Sequence, residues 1–129
     1  MGAVFFQTLQ ARWGKVTFSF AADGNLIEIS MRTRREVGVA GKRPKIVPSA
    51  ASLGKWLKHF ENGQVDPFPG PWQIPGDSEF RRKVYKAVFD IPAGQKLSYG
   101  EVAVKAGSPR AFRAVGTAMG QNPLPLLIP

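Results

Sequence analysis

The 129-residue chain has no cysteine, a single histidine and no long apolar run, and each shortage removes a class of chemistry. Without cysteine there are no disulfides, no thiolate ligands for zinc and no thiol nucleophile within these residues. With His59 as the sole imidazole, neither a histidine-centred triad nor a two-histidine metal site can be assembled. His59 lies on an amphipathic stretch and is expected to be structural. No ligand cluster suggests a metal, and no cofactor is expected. The glycine-rich patterns that cradle phosphates are absent. No segment approaches the roughly 18 apolar residues of a membrane span, so no membrane partner is expected. The opening "MGAVFFQTLQ" has no basic stretch ahead of a long apolar one, and Phe6 stands where an N-myristoylation signal wants Ser or Thr. A cytoplasmic setting is the expectation.

Positive charge is abundant. Lys and Arg outnumber Asp and Glu by 18 to 9, a net charge of +9. Such a potential attracts polyanions, nucleic acid first among them, although net charge by itself names no partner. Residues 31–58 hold eight basic groups against the single acid Glu36, and residues 77–129 another eight against four acids.

The first third has strand periodicity. "WGKVTFSF" alternates Val16, Phe18 and Phe20 with Lys15, Thr17 and Ser19, "AADGN" supplies an Asp-Gly turn, and "LIEIS" resumes the alternation. The basic stretch "RTRREVGVAGKRPKIVP" has no clear period and is expected to be a loop or an edge strand. Ser49 is a candidate cap for a helix with Leu53, Trp56, Leu57 and Phe60 on one face and Gly63 closing it. The Pro-rich "VDPFPGPWQIPG" suits neither a helix nor a central strand and marks the boundary between residues 1–76 and 77–129. Asp77 or Ser78 then opens a helix with Phe80, Val84, Ala87 and Val88 on one stripe, ended by Pro92.

The segment "SYGEVAVKAGSPRAFRAVGTAMGQN" carries the strongest signals. Ser98 and Glu101 form a Ser-x-x-Glu capping box for a helix from Tyr99 to about Ala106, and Gly107 breaks it. Ser108 as cap and Pro109 in the first helical position predict a second helix after a short turn. Two short helices across a glycine-containing turn form a helix-turn-helix. On the second helix, Phe112, Val115, Gly116 and Met119 are expected to face the core. Arg110, Arg113 and Thr117 gather opposite, flanked by Ala114 and Ala118. Small residues beside two guanidiniums allow close approach to a nucleic-acid groove.

These residues resemble a known family. "FRRKVYKAVFDIPAGQKLSYGEVAVKAGSPRAFRAVGTAMGQNPLPLLIP" is similar to the C-terminal domain of the O6-alkylguanine-DNA alkyltransferases, through "SYGE", "RAVG", the Asn-Pro pair and a closing apolar strand. The resemblance implies an α/β N-terminal subdomain of RNase H-like type joined to a mainly helical, winged-helix-like DNA-binding domain. It implies a monomer that binds double-stranded DNA containing O6-alkylguanine from the minor groove and flips the modified base. Arg113 would then fill the vacated stack and Tyr99 press on the neighbouring phosphate, with Arg110, Ala111, Ala114 and Gly116 at the groove. Asn122 would shape the turn after the helix, with Met119 and Pro129 also supporting the site. Phe112 stands where the family usually has a smaller residue.

In the family the strand resembling "LPLLIP" leads into Cys-His-Arg, whose thiolate takes the alkyl group, and the chain as given stops before it. Three readings of that stop are open: a stop codon standing for selenocysteine, a sequence cut for another reason, and a nucleophile-free alkyltransferase-like protein that binds lesions. As given, the chain is expected to bind but not to repair. Leu124, Leu126, Leu127 and Ile128 are expected to lack part of their cover, leaving the segment marginally stable or locally frayed. A sequence-reading helix-turn-helix regulator is the rival function, and an inert fragment a second.

Overall fold

The computed structural model describes residues 5–31, 43, 45–92 and 94–128. Most of the basic stretch at 32–48 therefore lies outside the described residues, as does Pro129. The chain divides into two units, residues 1–73 and 74–129. No helix among the described residues is long and apolar enough to cross a membrane.

In the first unit, strands β1 (Phe5–Ala11), β2 (Gly14–Phe20) and β3 (Leu26–Ser30) form an antiparallel sheet in that order. The alternation read in β2 is real: Val16, Phe18 and Phe20 are buried. Across the first pair, Thr8 faces Thr17 and their hydroxyls lie 2.8 Å apart. The Asp-Gly turn is present, with the Asn25 amide donating to Asp23 Oδ1 at 3.0 Å and Gly24 at a φ of +88° that a larger residue resists.

Helix α1 (Ala50–Glu61) starts where Ser49 Oγ accepts from the Ser52 amide. It buries Leu53, Trp56 and Leu57. The Trp56 ring meets Phe18 edge-on at 6.1 Å and Phe68 at 5.4 Å. Phe68 comes from the Pro-rich stretch, which is more than a connection. The Leu26 amide donates to the Pro71 carbonyl at 2.9 Å, Leu26 and Trp72 form a parallel bridge, and Trp56 Nε1 donates to the Asp66 carbonyl. His59 is paired through Nδ1 with Asp66 Oδ2.

The second unit is helical. In α2 (Glu79–Phe89), Ser78 rather than Asp77 caps, accepting from the Arg81 amide, and Val84, Tyr85 and Val88 are buried. Helices α3 (Tyr99–Lys105) and α4 (Phe112–Gly120) follow. Val102, Ala103, Ala106, Val115, Ala118, Leu124 and Ile128 complete the core.

One sequence expectation fails at the end of the chain. Residues 124–128 are not a strand: the amides of Leu127 and Ile128 both turn back to the Leu124 carbonyl. Pro123 and Pro125 have no amide hydrogen for a ladder, so a turn is the cheaper arrangement. The four apolar residues are unequally covered. Leu124 and Ile128 are fully buried, while Leu126 and Leu127 are half-buried. Full burial of one such side chain stabilises by about 1.5–3 kcal/mol.

Candidate nucleic-acid interface

Helix α3 is set at both ends. Ser98 Oγ accepts from the Glu101 amide and Glu101 Oε1 accepts from the Ser98 amide, each at 3.1 Å, completing the capping box. The Ser98 amide, and after it the Ser98 side chain, hold the Glu101 carboxyl below its ordinary pKa. At the other end, the Gly107 amide donates to Val104 and the Ser108 amide to Ala103, with Gly107 at a φ of +80°. This paired pattern is the Schellman motif. Tyr99, the first residue of α3, is thereby fixed in the backbone while its ring stays 53% exposed.

The start of α4 differs from the sequence expectation. Ser108 and Pro109 do not open the helix. The Ala111 amide donates to the Ser108 carbonyl at 2.9 Å, so these residues close a turn, and α4 begins at Phe112 with no side-chain cap. Arg110 is an exposed turn residue rather than a helix-face residue, and Ala111 occupies the cap position, half-buried.

The buried face of α4 also differs from the sequence expectation. Val115 and Ala118 are the buried residues of α4, whereas Phe112 is 50% exposed. The sequence reading had Phe112 inside and Ala118 outside. Phe112 precedes the turn that reaches the core, and Ala118 is drawn in by α2, where the Tyr85 hydroxyl donates to the Ala118 carbonyl at 2.7 Å. That tie was not read from the sequence; the signal for it was an aromatic residue beside Val84 on the apolar stripe. Burial raises the Tyr85 pKa above its usual value, only partly opposed by Arg81.

The outer side of α4 presents Arg113, Ala114 and Thr117. The guanidinium carbon of Arg113 lies 5.9 Å from the centroid of the Phe112 ring. Gly116 is half-buried beneath Tyr99: a Cβ there would stand 3.2 Å from Tyr99 Cε2. Tyr99 and Gly116 are thus in contact and Arg113 lies one turn before Gly116 on the same flank of α4, whereas Ala114, two residues from Gly116, lies on another flank. Met119 is half-buried on the other side. Asn122 sits just past α4, where its Oδ1 accepts from the Leu124 amide at 2.9 Å and its Nδ2 donates to the Ile128 carbonyl, holding both ends of the closing turn.

Charge is distributed unevenly over the unit. On α2, Arg81, Lys83 and Lys86 pair with Asp77, Glu79 and Asp90 four residues away. Arg110 and Arg113 are in no ion pair among the described residues, so their charge is available to an anion. Among the described residues, no group of three or more acidic, histidine or cysteine side chains could hold a metal ion.

The second unit is thus a helix-turn-helix whose outer helix is small-sided and cationic. Its sequence matches a family model. Residues 79–129 match the DNA-binding domain of 6-O-methylguanine DNA methyltransferase. Over 86 residues the chain is 38% identical to a probable methylated-DNA–protein-cysteine methyltransferase of Acanthamoeba polyphaga mimivirus, covering 66% of this chain and 56% of that protein. Over 73 residues it is 46% identical to the methylated-DNA–protein-cysteine methyltransferase of Methanosarcina barkeri, covering 57% of this chain and 46% of that one. The Mycobacterium tuberculosis OGT structure in complex with DNA aligns with a TM-score of 0.71 at 28% identity, covering 96% of this chain and 74% of that one. Residues 79–129 thus carry the DNA-binding domain of the O6-alkylguanine-DNA alkyltransferases, a DNA alkylation-repair family, and the chain has the mixed α/β fold of the solved structure it matches. It spans about half the length of the curated relatives it matches.

Proposed function

We propose that this chain binds duplex DNA through α3 and α4 from the minor groove and extrudes an O6-alkylated guanine, acting as a cytoplasmic monomer. The observation that carries the reading is the Tyr99 ring lying on Gly116, one turn from Arg113, which is in no ion pair among the described residues. The matched DNA-binding domain and the DNA complex of a structural neighbour support DNA as the partner. Ala114 and the half-covered Ala111 and Gly116 leave the helix backbone approachable. Arg113 takes the place of the extruded base, Tyr99 presses on the adjacent phosphate, and Arg110 holds the backbone from the turn. Asn122 and Met119 support the site from behind, with Pro129 a further supporting residue. The finer architecture, an RNase H-like first unit and a winged-helix-like second, is part of the same proposal, as is the division of roles near residue 76.

These 129 residues hold no thiol to accept an alkyl group, so the activity proposed for them is recognition and extrusion. The test is fluorescence anisotropy on matched duplexes with and without O6-methylguanine. A 2-aminopurine beside the lesion reports unstacking. The expected result is binding that weakens steeply with salt and a fluorescence rise that Arg113→Ala abolishes. Preference for a palindrome would instead favour a helix-turn-helix regulator, which reads base edges in the major groove.

A further inference from the structure

We propose that Phe112 is a second DNA-inserted side chain, an aromatic wedge that stacks on a base beside the place Arg113 fills. The inference rests on the DNA-binding reading above and adds to it a specific contact of this chain.

Phe112 opens α4 and is half-exposed, although the core beneath is already filled by Val115, Ala118 and Leu124. Its sequence neighbours on this side, Ala111 and Ala114, are too small to cover it. The nearest group of opposite character is the Arg113 guanidinium, 5.9 Å from the ring centroid. An aromatic ring and a planar cation thus project together from the first turn of the helix that presents the small-sided surface. A cation near an aromatic face is favourable, and the pair offers two flat groups of about the thickness of a base. Proteins that enter the minor groove commonly push apolar side chains, phenylalanine among them, between base steps, unstacking them and bending the duplex. Stacking on a base face is indifferent to sequence, as a protein that must inspect any guanine requires. Phe112 therefore lowers the cost of opening the stack that Arg113 then occupies.

The experiment compares the unsubstituted protein with Phe112→Ala and Phe112→Trp in duplex binding across a salt series. Phe112→Ala is expected to melt at the unsubstituted temperature, because the ring is outside the core, and to bind about tenfold more weakly, within the range for loss of one stacked base. Its dependence of affinity on salt should be unchanged, since a ring displaces no counterions, whereas Arg113→Ala should flatten that dependence. Phe112→Trp should restore affinity, and its new indole should be quenched on DNA. Trp13, Trp56 and Trp72 all lie in the first unit, so the protein without the substitution gives the background to subtract. Unchanged affinity for Phe112→Ala, or an unquenched indole, overturns the wedge while leaving DNA binding intact. Failure of the unsubstituted protein to bind any duplex at low ionic strength overturns the DNA-binding reading and the wedge with it.

Discussion

The ring of Tyr99 lies against the backbone of Gly116, close enough that a methyl group at 116 would stand 3.2 Å from Tyr99 Cε2. One helix thereby places an aromatic hydroxyl beside the outer face of the next, and the absence of a side chain at 116 makes this possible. Gly116→Ala separates the role from the fold. Alanine gains up to about 1 kcal/mol of helix propensity over glycine, and the exposed ring can swing away to make room. Thermal stability is expected to hold or rise slightly. Lesion-dependent 2-aminopurine fluorescence should fall, because Tyr99 has been moved. A variant that is less stable yet extrudes the base normally would show that the contact serves only packing.

Asn122 acts at the other end of α4. Its two polar atoms hold the Leu124 amide and the Ile128 carbonyl, so a single side chain closes the turn over which both apolar residues are buried. Asn122→Ala leaves both backbone groups short of a partner and should cost about 1–3 kcal/mol in urea unfolding. Asn122→Asp keeps the acceptor for Leu124 but loses the donor to Ile128, so it should fall between the two. Equal midpoints for all three proteins would contradict the clamp.

Tyr85 ties α2 to α4 through the 2.7 Å bond to Ala118. Tyr85→Phe keeps the ring and removes this bond, leaving the Ala118 carbonyl with the Gln121 amide alone, an expected loss of about 0.5–1.5 kcal/mol. The raised pKa adds a pH signature. A folded-state pKa above the unfolded value means that the Tyr85 contribution is complete below the unfolded pKa and is lost as pH rises through the folded one. Stability should therefore decline on the alkaline side, and Tyr85→Phe should reduce that decline.

The parts of the second unit that could be read in advance were those fixed by local chemistry. Ser98, Glu101 and Gly107 specify α3 because cap, box and left-handed closing residue act within a few positions of one another. Ser108-Pro109 misled for the same reason: the pair satisfies the local rule for a helix start, but the Ala111 amide bonds to Ser108 and defers the helix to Phe112. The apolar pattern of α4 centres on Phe112, Val115 and Met119, whereas Val115 and Ala118 are the residues that pack inward, because the packing against α2, marked by the Tyr85 bond to Ala118, sets the face. Strand β1 was not singled out, since all but its last residue are half-buried or exposed and its adjacent Phe5 and Phe6 break the alternation. The candidate surface could be drawn from the motif, yet its closest relationship, Tyr99 on Gly116, depends on the angle between two helices, and no local pattern encodes that angle.

Glu101 provides a pH test of the helix-turn-helix itself. Its carboxylate accepts from the Ser98 amide and its pKa is lowered from the usual 4.5. A depressed folded-state pKa means that the contribution is present above the unfolded pKa and is lost as pH falls through the folded one. Asp23, lowered by its bonds to Asn25, acts in the same direction in the first unit. The second unit's share is isolated by comparing the protein with Glu101→Gln, which keeps an acceptor oxygen but does not titrate. At neutral pH the variant should be the less stable, because a charged acceptor bonds the amide more strongly than a neutral one. The two unfolding curves should converge as pH drops below the ordinary carboxylate range. A stability difference that stays constant through the acid limb would mean that the capping box contributes through shape alone and that the charge on Glu101 has no part in setting α3 and the Tyr99 it carries.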